Sequence, residues 1–129
     1  MPLVAEHMAT ELLTAEAATP FVDAVRHMND RRVGAVLVLD GERLVGVFTE
    51  RDVLRAVALG LTVEATVGDW MTHGPETIEP DETVEHAAVL MIHGGFRHLP
   101  VVDAGKVLGI LSIRDLMRSV LDDAAPRGV

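Results

Sequence analysis

Two short segments set a hydroxyl residue and a carboxylate at fixed spacing: Thr49-Glu50-Arg51-Asp52 and Ser112-Ile113-Arg114-Asp115. Each follows an apolar run that carries a glycine, Gly46-Val47-Phe48 and Gly109-Ile110-Leu111. A hydroxyl and backbone amides at a helix N-terminus form an anion site. An aspartate one turn further in is able to accept two hydroxyl hydrogen bonds, as a ribose diol requires. Charge-assisted hydrogen bonds of this kind contribute roughly 1.5–3 kcal/mol each. The same spacing also describes a capping box, with the acid favourably set against the helix dipole. For one isolated copy, capping is the simpler reading. Gly46 and Gly109 add weight to the ligand reading, because a glycine inside a strand often marks close approach by a backbone or a ligand.

The elements that position these residues occur twice. Gly46 and Gly109, Thr49 and Ser112, and Asp52 and Asp115 are each 63 residues apart. Residues 8–57 align with 71–120 without a gap and with about a dozen identities. Each copy opens with a short helical lead-in, residues 1–11 with Val4 and Met8 as apolar positions, and Val67–Met71. Short extended pieces follow at Leu12-Leu13-Thr14 and Thr77-Ile78. Helical spacing then joins Phe21, Ala24, Val25 and Met28, and likewise Val84, Ala87, Ala88 and Met91. Pro20 suits a first turn, and Asp81 is the expected cap of the second helix. Gly34 and Gly94-Gly95 are the expected left-handed stops.

After each helix the period changes to strands. Ala35–Leu39 and Leu44–Phe48 flank Asp40-Gly41, a hairpin signal. Leu99–Val102 and Val107–Leu111 flank Asp103-Ala104-Gly105. Pro100 is expected at a strand start or an edge position. A closing helix follows each motif, with apolar faces of Val53, Leu54 and Val57 and of Leu116, Met117 and Val120. The expected fold is α/β (α+β), two βαββα units spanning 1–63 and 64–129, with a frayed tail from Ala124 to Val129.

Composition excludes several function classes. With 129 residues and 49% hydrophobic composition the chain buries a real core. A formal charge of -9 argues against nucleic acid as a partner, since phosphate contacts need clustered Lys and Arg. The basic residues are arginines apart from Lys106, and arginine offers a bidentate fork to phosphate. Without cysteine there is no disulfide, thiol catalysis or cysteine-ligated zinc. No apolar run is long enough to span a bilayer, and Met1–Glu6 lacks the pattern of a signal peptide. The expectation is a soluble, cytoplasmic protein without a membrane partner.

Taken together, the paired motifs resemble the tandem cystathionine-β-synthase (CBS) domain, or Bateman module. The residues that carry the resemblance are Gly46-Val47-Phe48-Thr49-x-x-Asp52 and Gly109-Ile110-Leu111-Ser112-x-x-Asp115. Arg97-His98-Leu99-Pro100-Val101-Val102-Asp103 and the helices containing Ala24 and Ala87 support it. The resemblance implies two CBS motifs in a pseudo-twofold arrangement, packed through their sheets, with clefts between them for AMP, ADP, ATP or S-adenosylmethionine. By that analogy Asp52 and Asp115 hold ribose hydroxyls, and Thr49 and Ser112 contact phosphate. Val36 and Ile78 are then candidates for an apolar adenine slot, and Thr14 and Thr77 line the same clefts. A homodimer through the helices that flank the clefts is also implied.

The copies are unequal. Arg97 and His98 align with Gly34 and Ala35, so only the second copy carries basic residues where relatives contact phosphate. The second site is therefore expected to be the better one. Arg51 and Arg114 are further candidates for phosphate contact, with solvated first-turn arginines as the equal alternative. The six histidines, including His86 and His93 two turns apart on one helix, are read as surface residues rather than metal ligands. Trp70, Met28 and Met91 are read as core or interface filler.

The expected function is a stand-alone sensor that binds an adenine nucleotide without chemistry and regulates an unidentified partner in trans. The alternative is a ligand-free interaction dimer whose Thr-x-x-Asp segments are caps. An enzyme is disfavoured for want of a Walker-type loop, a metal cluster or a nucleophile–base pair.

Overall fold

Both hairpins form where the apolar runs and turn residues put them. The computed structural model describes residues 2–124. In the first repeat α1 (Val4–His7) precedes β1 (Thr14–Ala15), α2 (Phe21–Arg31), β2 (Ala35–Asp40), β3 (Arg43–Thr49) and α3 (Glu50–Leu59). In the second, α4 (Val67–Trp70) and β4 (Thr72–His73) precede α5 (Val84–Gly94), β5 (His98–Asp103), β6 (Lys106–Ser112) and α6 (Ile113–Ala124). The fold is thus a mixed α/β one of two repeated βαββα-like units. The tail expected to fray lies, beyond Ala124, outside the described residues.

Compaction does not follow the 63/64 boundary of the sequence repeats. One compact unit is contiguous, Leu12–Pro75; the other is composite, Met1–Glu11 with Glu76–Val129. Each repeat's lead-in helix belongs with the other repeat's sheet. Val4 N donates to Glu82 O at 2.8 Å and Ala5 N to Pro80 O at 3.0 Å in the composite unit. At the equivalent positions of the contiguous unit, Val67 N donates to Thr19 O at 2.9 Å and Gly68 N to Ala17 O at 2.8 Å. Val4 and Val67 are both fully buried.

The contiguous unit has a four-stranded sheet in the order β1-β2-β3-β4, parallel between β1 and β2 and otherwise antiparallel. The composite unit has the β5–β6 hairpin, flanked by single bridges at Ile78 and Ala9. One residue accounts for the thinner pairing beside β5. Leu37 N donates to Leu13 O at 2.9 Å, but Pro100 occupies the equivalent place and has no N–H. Only Ile78 N→Pro100 O (3.0 Å) and Val102 N→Ile78 O (2.9 Å) remain there. Pro100 thus sits within β5, with its missing donor turned away from the hairpin partner. Both hairpins shift register at the same point, Val38/Leu39 and Val101/Val102.

Each unit has its own core. Phe21, Met28, Val36 and Phe48 lead the contiguous one, where the Phe21 and Phe48 rings meet edge to face at 5.3 Å. Val4, Ile78, Leu99 and Leu111 lead the composite one. The helix ends depart from expectation at two places. α2 stops at Arg31, so the left-handed residue is Arg32, with φ 54°, and not Gly34. α5 is capped by Thr83, whose hydroxyl accepts from His86 N at 3.1 Å, and not by Asp81. Gly95 does take the expected left-handed stop, with φ 71°.

Candidate functional site

At the end of β3 the chain enters α3 through a closed capping box. Thr49 N donates to Asp52 Oδ2 at 2.8 Å, Thr49 Oγ1 donates to the same oxygen at 3.2 Å, and Asp52 N donates to Thr49 Oγ1 at 3.4 Å. The second motif repeats this more tightly: Ser112 N→Asp115 Oδ2 is 2.7 Å, Ser112 Oγ→Asp115 Oδ2 is 2.9 Å, and Asp115 N→Ser112 Oγ is 3.2 Å. The first amide of each helix is satisfied as well. Glu50 N donates to Gly34 O at 3.0 Å and Ile113 N to Arg97 O at 2.9 Å. The amides of Thr49, Glu50 and Asp52, and of Ser112, Ile113 and Asp115, thus already have protein acceptors. An anion at these helix ends must therefore rely on side chains more than the spacing suggested.

The glycines resolve in favour of backbone approach. A Cβ on Gly46 would stand 2.9 Å from Thr72 O, and one on Gly109 2.7 Å from Ala9 O. Ala9 exchanges two hydrogen bonds with Ile110, and β4 pairs with β3 at the equivalent place. Each glycine makes room for the lead-in that adds to its hairpin.

What lies outside each capping box is the second oxygen of the carboxylate, Oδ1. The cation facing it is an arginine that the sequence reading passed over. Arg55 Nη2 lies 3.3 Å from Asp52 Oδ1, and Arg118 Nη1 lies 3.9 Å from Asp115 Oδ1. Arg55 and Arg118 are identical and 63 residues apart, so the repeat alignment was the signal that marks them. The Asp52 side chain is 9% exposed and that of Asp115 14%.

The strands bring the second copy's basic residues to the motif. His98 pairs with Ser112 across the hairpin, as Ala35 pairs with Thr49, and the Arg97 carbonyl holds the first turn of α6. Arg97 is exposed and His98 half-buried. Arg51 and Arg114 are exposed on the first helical turns. Thr14 and Thr77 are exposed; Thr14 pairs with Leu37 of β2, and Thr77 precedes Ile78, which bridges Val101 of β5. Val36 and Ile78, candidates for a base slot, are 1% and 4% exposed and belong to the two cores. Trp70 is half-buried, with the Arg55 guanidinium 5.3 Å from its ring centre.

Among the described residues no group of three or more His, Asp and Glu is arranged to hold a metal ion. His86 instead lies 2.7 Å from Glu82, four residues earlier on the chain. No described helix is long and apolar enough to cross a membrane.

The paired βαββα units and their Gly-to-Asp motifs define a tandem repeat of one domain type. The CBS domain profile matches residues 4–59 and 67–122, and the chain belongs to the CBS domain family. A 17.7 kDa protein of Acidianus ambivalens is 34% identical over 121 residues, covering 92% of this chain and 73% of that protein. The Arabidopsis thaliana protein CBSCBSPB2 is 38% identical over 125 residues, and the chain spans 23% of its length. Among solved structures, the CBS domain pair of MJ0100, in complex with 5′-methylthioadenosine and S-adenosyl-L-methionine, has a TM-score of 0.89 and 26% identity, covering 95% of this chain and 98% of that one. The CBS domain protein PAE2072 of Pyrobaculum aerophilum, complexed with AMP, has a TM-score of 0.85 and 28% identity, covering 94% and 96%.

Proposed function

We propose that this chain is a regulatory sensor module that binds an adenosine-type ligand, AMP, ADP, ATP or S-adenosylmethionine, and does no chemistry on it. The observation that carries the reading is the meeting of Arg97, His98, Ser112 and Asp115 at one strand-to-helix junction, through β5–β6 pairing and the bond from Ile113 N to Arg97 O. Asp115 Oδ1 is the acceptor for ribose hydroxyls; Arg97, His98 and Arg114 supply the cationic side for phosphate, with Ser112 beside them. Thr77 flanks the site, and Ile78 supports it from the core. The equivalent site of Thr49, Asp52, Arg51, Thr14 and Val36 has no counterpart of Arg97 and His98 and is the weaker one. Two solved relatives of the same fold bind AMP, or methylthioadenosine and S-adenosylmethionine, which supports this ligand class. The module acts in the cytoplasm on a partner protein in trans, as a homodimer through the exposed faces of α3 and α6.

Thermal shift with the four ligands tests the reading. Ligand at 100 times its dissociation constant adds roughly 2.7 kcal/mol of stability, which moves the midpoint by several degrees in a domain of this size. Midpoints unmoved by all four at millimolar concentration would overturn it. Arg97→Ala, an exposed residue, should abolish most of the shift without lowering the ligand-free midpoint. The competing reading, a ligand-free interaction dimer, draws on the closed capping boxes of α3 and α6 and predicts no shift at all.

A further inference from the structure

The two motifs differ in how far their carboxylates are already engaged. In the contiguous unit Asp52 Oδ2 accepts from Thr49 N and Thr49 Oγ1, and Oδ1 accepts from Arg55 Nη2 at 3.3 Å. The same Nη2 donates to Trp70 O at 3.0 Å, and the guanidinium stands over the Trp70 ring. α4, which carries Trp70, is tied to the connection between β1 and α2 by Val67 N→Thr19 O and Gly68 N→Ala17 O. Arg55 is thus held by three contacts on one side of Asp52. In the composite unit Arg118 stands 3.9 Å from Asp115 Oδ1, beyond hydrogen-bond distance, and His7 occupies the position equivalent to Trp70.

We infer that Arg55 is a specificity-determining residue that occludes Asp52, so that a hydroxyl-bearing ligand reaches Oδ1 only by displacing the guanidinium. Trp70 sets the strength of the occlusion by holding Arg55 over its ring and on its carbonyl. This deepens the nucleotide reading and rests on it. It adds a second source of inequality between the motifs, independent of Arg97 and His98. A role for Arg55 as a phosphate contact predicts the opposite sign, since removing a ligand contact weakens binding.

The test is isothermal titration of the full chain with AMP. Arg55→Met should raise affinity at the weaker site by roughly threefold to tenfold, the scale of one exposed ion pair with one exposed cation–π contact. Arg55→Gln, which keeps the polar stem, should move affinity in the same direction and serves if Arg55→Met fails to fold. Adding Asp52→Asn to either variant should remove the gain, whereas Asp115→Asn should leave it. Wild-type binding at the Asp115 site with unchanged or weakened affinity in both folded variants overturns the occlusion alone. No AMP binding by wild type or variants overturns the nucleotide reading and the occlusion with it.

Discussion

Gly46 lies against Met71, and a methyl group on Gly46 would stand 2.5 Å from the Met71 sulfur. Gly109 lies against Met8 in the same way, at 2.7 Å. In both, the backbone carbonyl of the next residue, Thr72 or Ala9, closes the remaining space. The flexible thioether is able to yield, but the carbonyl is held in the sheet. Gly46→Ala and Gly109→Ala should therefore each destabilise the protein by roughly 1–3 kcal/mol, read as a lower urea midpoint with ligand absent. A glycine kept for ligand approach would instead lose binding and leave the midpoint in place.

Ser119 is 1% exposed, and its hydroxyl has no hydrogen-bond partner among the described residues. Ala56 occupies the equivalent place in the other repeat and is fully buried. Leaving a buried hydroxyl unpaired costs about 1–3 kcal/mol, and alanine is also the better helix former. Ser119→Ala should stabilise the chain by about 1 kcal/mol, measured by chemical denaturation. A loss of stability would mean that the hydroxyl has a partner in solution.

Thr83 caps α5 far in sequence from either motif, so it calibrates what a cap alone contributes here. Thr83→Ala should cost about 1 kcal/mol and leave nucleotide affinity unchanged. Ser112→Ala should cost a similar amount of stability and also weaken AMP binding, since Ser112 positions Asp115 Oδ2 through a 2.9 Å bond. Equal behaviour of the two variants in titration would reduce the Ser-x-x-Asp segment to a cap.

Leu54 and Met117 hold equivalent positions on α3 and α6 and are 70% and 61% exposed. Val57 and Val120 extend each stripe by one turn, at 62% and 66%. If these faces join two copies, Leu54→Glu with Met117→Glu should convert a dimer to a monomer in light scattering, with stability of the monomeric fold preserved. A chain that is monomeric before the substitutions would refute the dimer.

Much of the architecture was legible because side-chain identity repeats at one spacing and hairpin turns carry their own chemistry. Asp40-Gly41 fixed the first hairpin, with Gly41 at φ 65°. Thr49, Asp52, Ser112 and Asp115 were found in their expected pairs, although the caps consume more of the polar groups than spacing alone suggested. The partner of each lead-in was not legible. Val4 and Val67 are equivalent by pattern, so nothing in periodicity tells which sheet either one joins. Local competition decided the helix ends: Thr83 lies next to Val84, where a hydroxyl reaches the third amide, and Asp81 lies two residues too early. Val36 and Ile78 were named for a base slot through the family resemblance alone, and periodicity could not tell that both side chains are buried in the cores. Arg55 and Arg118 escaped notice because an arginine near an acid reads as an ordinary surface pair; the Trp70 contacts and the closer approach to the carboxylate set Arg55 apart.

The exchange of lead-ins gives the chain an order of assembly. Everything the contiguous unit needs lies between residues 12 and 75, including α4 and β4, so its sheet is complete once that stretch is available. The composite unit needs residues 2–11 together with a segment that starts at 76, across the whole intervening unit. Closing a longer loop costs more entropy, and distant pairings form more slowly. Synthesis runs from the N-terminus, with early units folding first. Val4 and Ala9 therefore emerge ahead of the contiguous unit yet find their partners after it, and during that interval a hydrophobic strap is available to any matching sheet, including that of another copy.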